Sequence, residues 1–385
     1  MPEPRVAIVH DWLVSMRGGE RVLESLCRIY PRADVFTLRY DQRNLSPEIT
    51  SHRVTASFVD RLARMLPLGR AGFRVLLPLF PAAIESFRLD GYDLVISSSH
   101  AVAKGARPAA GALCVSYVHS PMRYVWEAEE SYTTHVPGGI FGRAAFALVA
   151  RRLRRWDRAV TDRAVALAAN STYTQERIQR YYGREAIVIE PPVDTRRFAR
   201  IPDPVGAWNG AGPTYLCVSA LVPYKRVELA VRAMVGRRGR LIVVGDGPDR
   251  NRLNGMTPPN VELRGRVADD EVDRLYAACD AVIHPAIDDF GIVPVEALAA
   301  GRPVVAFAQG GAADTIRDGE GGVVFDEATP ASLAAALDRL EQTTFVPGQL
   351  RTMAQRFDRE EFERRFAAML ATTRRGCSIA AEVTP

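Results

Sequence analysis

Two carboxylates eight positions apart frame the run Asp288-Asp-Phe-Gly-Ile-Val-Pro-Val-Glu296-Ala-Leu-Ala-Ala-Gly301. A strand-like segment ends just before it at His284-Pro285, and Pro294 marks the first turn of the helix that follows. The backbone amides of Phe290, Gly291, Ile292 and Val293, at that helix start, are placed to meet a phosphate. Glu296 stands among Val, Ala and Leu, where a carboxylate is costly to bury without a partner. Ribose hydroxyls are suitable partners, since a carboxylate accepts two hydrogen bonds at once. The plainer alternative is an acidic N-cap plus one exposed helix residue, and the combined motif is too specific for it.

The cations point the same way. Of 50 basic residues, two are lysines, Lys104 and Lys225. In an arginine-rich chain a retained lysine marks a need for a compact point charge. Lys225 and Arg226 lie between a strand and its helix, where they do not complement the helix dipole; a diphosphate would supply the missing negative charge. Gly245-Asp-Gly247 is followed by Arg250 where a dinucleotide fingerprint needs Gly, which argues against a dehydrogenase. In the first half a strand ends at His10-Asp11, and Gly18-Gly19 open the next helix. That turn is either a phosphate-contacting loop or a plain strand-to-helix connection. Another strand ends at His119, before Pro121, and its imidazole is positioned to bond a sugar hydroxyl. The alternative for a lone histidine is a satisfied core residue.

These residues need strand ends to hold them. Strand-like runs at 5–10, 33–38, 93–98, 113–119, 165–169 and 186–190 alternate with helix-like runs at 19–30, 143–164 and 173–182. A Pro- and Gly-rich stretch at 202–213 reads as a linker. The alternation then restarts, with strands at 214–219, 240–245, 261–264, 281–285, 303–307 and 322–325 and a helix after each. The expected fold is α/β: two Rossmann-like, doubly wound parallel-sheet domains facing a central cleft. The expected domains are 1–200, 201–348, and a tail at 349–385 carrying one amphipathic helix at 350–373 and a frayed end.

Composition sets the outer limits. With 47% hydrophobic and 25% charged residues, the 385-residue chain has the balance of a globular protein. No apolar run reaches bilayer length, and the N-terminus enters a strand at once, so a cytoplasmic location is expected. Five scattered cysteines predict reduced thiols and no zinc site. Residues 1–200 carry a net +9 and residues 201–385 a net −4. The basic half either meets an anionic partner or is simply solvated.

The 288–304 run resembles the E-x7-E signature of glycosyltransferase family 4, the retaining GT-B enzymes. So do Gly18-Gly19-Glu-Arg-Val-Leu, Asn170-Ser…Thr174, Pro191-Pro-Val-Asp-Thr-Arg-Arg-Phe198, Leu221-Val-Pro-Tyr-Lys-Arg and Gly265-Arg-Val-Ala-Asp-Asp. The resemblance implies that Glu296 holds the nucleotide ribose and Asp288 the donor sugar. Lys225, with Arg226, neutralises the diphosphate. Backbone at Arg266-Val267 contacts the base, Gly18 and Gly19 close over the phosphate, and His119 lies near the transferred sugar. The tail helix returns to the first domain. Two departures stand out: Asp288 is one methylene shorter than the usual Glu, and Ala220 replaces a frequent Arg. Transfer would proceed with retention through an oxocarbenium ion pair, with no metal and no other cofactor. Val118-His-Ser-Pro-Met-Arg-Tyr-Val-Trp126 and Leu221-Val-Pro-Tyr-Lys-Arg resemble the bacterial mannosyltransferases of polysaccharide and lipopolysaccharide assembly. That resemblance implies GDP-mannose as donor and a lipid-linked oligosaccharide as acceptor, with no nucleic acid. The alternatives are a UDP-sugar donor or a non-catalytic nucleotide-sugar-binding protein. The segment 141–157, with Arg143, Arg151, Arg152, Arg154 and Arg155, is then either a basic helix lying peripherally on anionic lipid or an ordinary solvated helix.

Overall fold

The computed structural model describes residues 3–66, 73–127, 139–203 and 212–383. The chain divides into two units, Met1–Pro191 with Phe362–Pro385, and Pro192–Glu361. The first boundary therefore falls before the short helix Thr195–Ala199 rather than at 200, and the second at 361 rather than 348. Most of the stretch expected as a linker, 204–211, lies outside the described residues.

The first unit holds seven parallel strands in the order β3-β2-β1-β4-β5-β6-β7. They are β1 Val6–His10, β2 Asp34–Thr37, β3 Val54–Ala56, β4 Leu94–Ser99, β5 Leu113–Val118, β6 Ala166–Ala169 and β7 Ile187–Val188. β1 is buried along its whole length because both faces of the sheet are covered. Val6 and Ile8 enter one core, Ala7 and Val9 the other, as the two-residue period of a strand requires. Edge strand β3 is missing from the sequence-based expectation: three half-buried residues carry too short a pattern to read. β7 shrinks to two residues of the five expected.

The second unit holds six parallel strands in the order β10-β9-β8-β11-β12-β13. These are β8 Thr214–Val218, β9 Arg240–Val244, β10 Val261–Gly265, β11 Ala281–His284, β12 Val304–Phe307 and β13 Gly322–Phe325. In each sheet the order reverses at one place, between β1 and β4 and between β8 and β11. Crossovers leave such a point in opposite directions, so a crevice opens beyond the carboxyl ends of those two strands.

The tail is two helices, Pro347–Gln355 and Arg359–Val383, not one. Asp358 breaks it. Its Oδ1 accepts the Glu360 amide at 3.3 Å and its Oδ2 accepts the Thr195 hydroxyl. The second helix runs to Val383, so the expected frayed end is helical. Its Phe362, Phe366, Met369 and Leu370 repeat at helical spacing and enter the same core as Val6 and Ile8. Phe362 packs edge-on to Tyr117 of β5, with ring centroids 5.7 Å apart. No described helix is long and apolar enough to cross a membrane. All five cysteines are free.

Phe366 is fully buried. Phe366→Ala is expected to destabilise the first unit by about 3–5 kcal/mol through lost transfer and cavity terms. Urea denaturation followed by near-UV circular dichroism checks this.

Candidate active site

In the first unit the switch point lies between Asp11, just after β1, and residues 100–103, just after β4. Asp11 is fully buried, and burial by itself would push its carboxyl up. His100, His10, the backbone amides and Lys104 outweigh that and hold it below the usual carboxylate range. Its Oδ2 accepts the amides of His100 and Ala101 at 2.6 and 2.8 Å, and its Oδ1 those of Val102 and Ala103 at 2.6 and 2.8 Å. One carboxylate thus folds the loop after β4 around itself. From the far side, Lys104 Nζ donates to Ala101 O and pairs with Asp157 Oδ1, each at 2.6 Å, with both side chains buried. Trp126 Nε1 and Tyr182 Oη both donate to Asp157 Oδ2 at 2.8 Å.

This loop brings three imidazoles together. The rings of His10, His100 and His119 stand 6.1–6.3 Å apart, centre to centre. Ser98 Oγ joins two of them, 3.0 Å from His10 Nδ1 and 2.8 Å from His119 Nε2. Asn170, after β6, donates Nδ2 to His119 O at 2.9 Å and fixes that backbone. Burial first, then the neighbouring His100, drops His10 to about 3, and the same causes hold His119 well below its ordinary value. Helix Gly18–Ile29 begins beside them. A Cβ on Gly19 would stand 3.5 Å from the His10 ring and 3.6 Å from that of His119, so a side chain there would cover both. Glu20 Oε2 accepts the Arg17 amide at 3.0 Å, and burial pushes its carboxyl up to about 7.

In the second unit a salt bridge joins the switch-point loops. Lys225 Nζ donates to Asp288 Oδ1 and Oδ2 at 2.5 and 2.7 Å. Their side chains are 21% and 14% exposed, so the pair stands at the surface of the crevice rather than in the core. His284, at the end of β11, places Nε2 3.4 Å from Asp288 Oδ2. Burial drops it to about 4, so it stays neutral beside the pair. Gly291 caps helix Ile292–Ala299 at φ +89°, a left-handed conformation suited to glycine. Gly310 and Gly311 press on the same loop. A Cβ on Gly311 would lie 2.3 Å from Asp289 O and 2.4 Å from Phe290 Cα, so the loop's position requires glycine.

Arg226 differs from every other described non-glycine residue in having a positive φ, 52°. Its guanidinium lies 5.0 Å from the Phe307 ring centre, and its buried Nη1 has no hydrogen-bond partner. Glu296, one turn into its helix, accepts the Tyr276 hydroxyl on Oε2 at 3.0 Å. A tyrosine therefore provides part of the partnership that the sequence reserved for a ligand.

Two family models divide the chain. Glycosyltransferase Family 4 matches residues 16–197 and Glycosyl transferases group 1 matches residues 203–359. The D-inositol 3-phosphate glycosyltransferase of Acidothermus cellulolyticus is 31% identical over 354 residues, 80% of this chain and 73% of that protein. The chain belongs to glycosyltransferase family 4. A GDP-mannose-dependent alpha-(1-6)-phosphatidylinositol monomannoside mannosyltransferase of Mycobacterium tuberculosis is 32% identical over 197 residues, 44% of this chain. That match spans 51% of the relative, so this chain covers about half its length. Among solved structures, Anabaena HepE in complex with UDP superposes at TM-score 0.66, with 19% identity, over 96% of this chain and all of the other. It supports the GT-B fold of the two parallel-sheet units.

In this family 4 chain the residues expected to act group by unit. Gly18, Gly19 and His119 meet in the first; Lys225, Asp288 and Gly291 meet in the second, with Glu296 on the adjoining helix. Phe290 contributes no side chain to the site: its ring is buried against Phe357, 5.6 Å away. Arg266 is exposed and Val267 half-buried just after β10. Lys104, the other retained lysine, is held by Asp157, Ala101 and Tyr182. Sequence reasoning gave no role to His10, Asp11 or Glu20, and passed over Ser98 and His100. The available signal was rarity: the chain has six histidines, and four stand at or just after the ends of β1, β4, β5 and β11.

Asp11→Asn turns an NH2 group toward two amide donors and removes a buried charge from its partners. It is expected to cost about 3–5 kcal/mol in urea unfolding. The buried imidazoles also set an acid limit. Unfolded histidines titrate near 6.5, folded His10 at about 3 and folded His284 at about 4. The unfolded chain binds more protons in between, so this stability is present above 6.5 and is lost as pH falls toward the folded values. Each group contributes a slope of about 1.4 kcal/mol per pH unit. Glu20 acts oppositely, weakening the fold as pH rises through about 7. Unfolding free energies between pH 4.5 and 6.5 should lose one such increment of slope in His284→Asn.

Proposed function

We propose that this chain is a retaining glycosyltransferase that moves mannose from GDP-mannose onto a lipid-linked oligosaccharide in cell-surface polysaccharide synthesis. The observation that carries the reading is the Lys225–Asp288 pair at the β8–β11 switch point, beside the glycine-capped start of the helix that bears Glu296. A nucleoside diphosphate sugar brings two phosphate charges and a set of hydroxyls. The diphosphate competes with Asp288 for Lys225 and meets the unsatisfied amides at the start of helix Ile292–Ala299. The Asp288 oxygens then accept hydroxyls of the sugar, and Glu296 those of the ribose. Arg226, whose Nη1 lacks a partner, adds a second cation.

Such a site acts by stabilising charge on the leaving group. The sugar departs as an oxocarbenium ion, and the acceptor hydroxyl attacks from the face the diphosphate leaves, which retains configuration. His119 supplies a neutral imidazole for the hydroxyls near that centre. The donor assignment draws on the Mycobacterium relative, whose name specifies GDP-mannose and a phosphatidylinositol-based acceptor. A lipid-borne acceptor also suits helix Gly139–Val160. Arg151, Arg152 and Arg155 are exposed on it, and Leu148 is 68% exposed one turn earlier. Arg154 is turned inward, to Val125 O, and the Arg143 side chain lies outside the described residues. Such a face suits peripheral binding at a cytoplasmic anionic leaflet.

Calorimetry with GDP and UDP, followed by GDP release from GDP-mannose, tests the reading. Expected are GDP preference, loss of binding in Glu296→Ala, and turnover about 10²–10³ lower in Lys225→Met. UDP preference would remove mannose and keep the chemistry; no nucleotide binding at all would sink the enzyme reading. Sedimentation with phosphatidylglycerol vesicles should weaken on the order of a hundredfold when Arg151, Arg152 and Arg155 become Ser, at about 1 kcal/mol per arginine.

A further inference from the structure

The first unit contains a chain of polar groups, hydrogen-bonded except for one 4.0 Å gap, that the leaving-group chemistry does not use. Ser98 is fully buried and touches two imidazoles, His10 Nδ1 at 3.0 Å and His119 Nε2 at 2.8 Å. A serine hydroxyl has one proton, so it donates to one ring and accepts from the other. The tautomers of His10 and His119 are therefore locked together. The far nitrogen of His10, Nε2, is buried, lacks a hydrogen-bond partner, and faces Glu20 Oε1 at 4.0 Å. Glu20 is itself buried and anchored through its other oxygen to the Arg17 amide, so a small swing about that anchor closes the gap. At the opposite end, His119 retains 9% exposure, and Nδ1 is the ring nitrogen that Ser98 leaves free.

We propose that His119, Ser98, His10 and Glu20 form a proton relay in which a proton taken up at His119 Nδ1 is stored on Glu20. The balance is one proton in and one stored. Nδ1 of His119 takes a proton while Nε2 passes its own to Ser98 Oγ. Ser98 hands its hydroxyl proton to His10 Nδ1, and His10 passes the proton on Nε2 to the Glu20 carboxylate. Each imidazole begins and ends neutral with one proton, on the opposite nitrogen. This is the property the site needs, because burial and the neighbouring rings make an imidazolium costly at both positions. A relay conducts a proton through them without charging either.

The carboxyl at the end is matched to the task. Burial pushes Glu20 to about 7, with Asp11 adding to the rise and Arg17 opposing it. The other ionisable groups facing the chain are His100, beside both rings, Asp11 on β1, Lys104 acting on Asp11, and Tyr117 beside His119. In the proposed transfer the proton would come from the acceptor hydroxyl. That clause rests on the glycosyltransferase reading; the relay itself does not. Glu20, His10 and Ser98 are positioning residues that act through His119.

The test is a two-bond ¹⁵N–¹H correlation spectrum of histidine-labelled protein, titrated from about pH 5.5 to 8.5, across the range where Glu20 changes charge. His119 is expected to pass from the Nδ1–H to the Nε2–H tautomer as Glu20 ionises. Glu20→Gln, which still accepts the Arg17 amide, should abolish the transition, and Ser98→Ala should uncouple His119 from Glu20. The wild-type dependence of kcat/KM on pH should have an acidic limb near 7 that Glu20→Gln lacks. A His119 tautomer that stays constant over this range, or changes identically in Glu20→Gln, overturns the relay. Should Ser98→Ala fail to fold, the wild-type and Glu20→Gln spectra still decide. Absence of turnover would count against the transferase reading and leave the tautomer result standing.

Discussion

A parallel sheet whose crossovers diverge leaves a gap beyond two neighbouring strands, and something must hold the loops on either side of that gap. In both units of this chain the holding element is a charge. Asp11, after β1, gathers four amides of the segment after β4. Lys225, after β8, grips both oxygens of Asp288, after β11. The two differ in burial, and that difference sorts their roles. Asp11 is sealed, and a sealed carboxylate without donors would be intolerable, so its four bonds are a fixed part of the fold. Lys225 and Asp288 are partly open, and an exposed pair of this kind adds little to stability. Under the proposed function the pair keeps a cation and an anion ready, each already compensated, for a ligand with both charge and hydroxyls to replace one partner for the other.

The rigid parts around each gap follow from these demands. Lys104 and Asp157 anchor the loop after β4 from behind, and Trp126 and Tyr182 saturate the remaining Asp157 oxygen. Removing one member would strand the other charge, which is why such clusters behave as units. In the second unit glycines do the corresponding work. Gly245 and Gly247 let the 219–222 loop lie directly on the turn after β9, where a Cβ would stand 1.8 and 2.2 Å from carbonyl oxygens. Gly310 and Gly311 do the same beneath Asp288.

Much of this was legible in the sequence, and the limits were physical. Twelve of the thirteen strands follow from short β-branched runs, because a buried parallel strand is apolar along its whole length. The second-unit site was readable because its parts lie within one segment, Asp288 to Glu296, with Lys225 singled out by its rarity. The first-unit site was not, because its members come from four strand ends spread over 160 positions, His10 to Asn170. His119 was found by position alone; Ser98, its actual partner, sits in a run of three serines that looks like ordinary strand ending in a turn. The partner of Lys104 was hidden for the same reason: its Ala-rich neighbours in sequence say nothing about Asp157, which arrives from a helix some fifty residues on. The break at Asp358 was hidden because a capping aspartate inside an amphipathic pattern reads as one more polar residue.

Arg226 extends the argument from geometry to use. A left-handed conformation at a non-glycine residue costs on the order of 1 kcal/mol and persists when the surroundings require it. Glycine at this position would relieve the strain, yet the chain has arginine. The conformation turns the guanidinium onto the Phe307 ring and leaves Nη1 buried without a partner. Stability alone favours neither the strain nor the unfilled donor. A diphosphate arriving beside Lys225 would fill that donor and use a cation held in place before binding, so that little side-chain entropy remains to be lost. Under the proposed function Arg226 would then serve as the second diphosphate-binding cation beside Lys225.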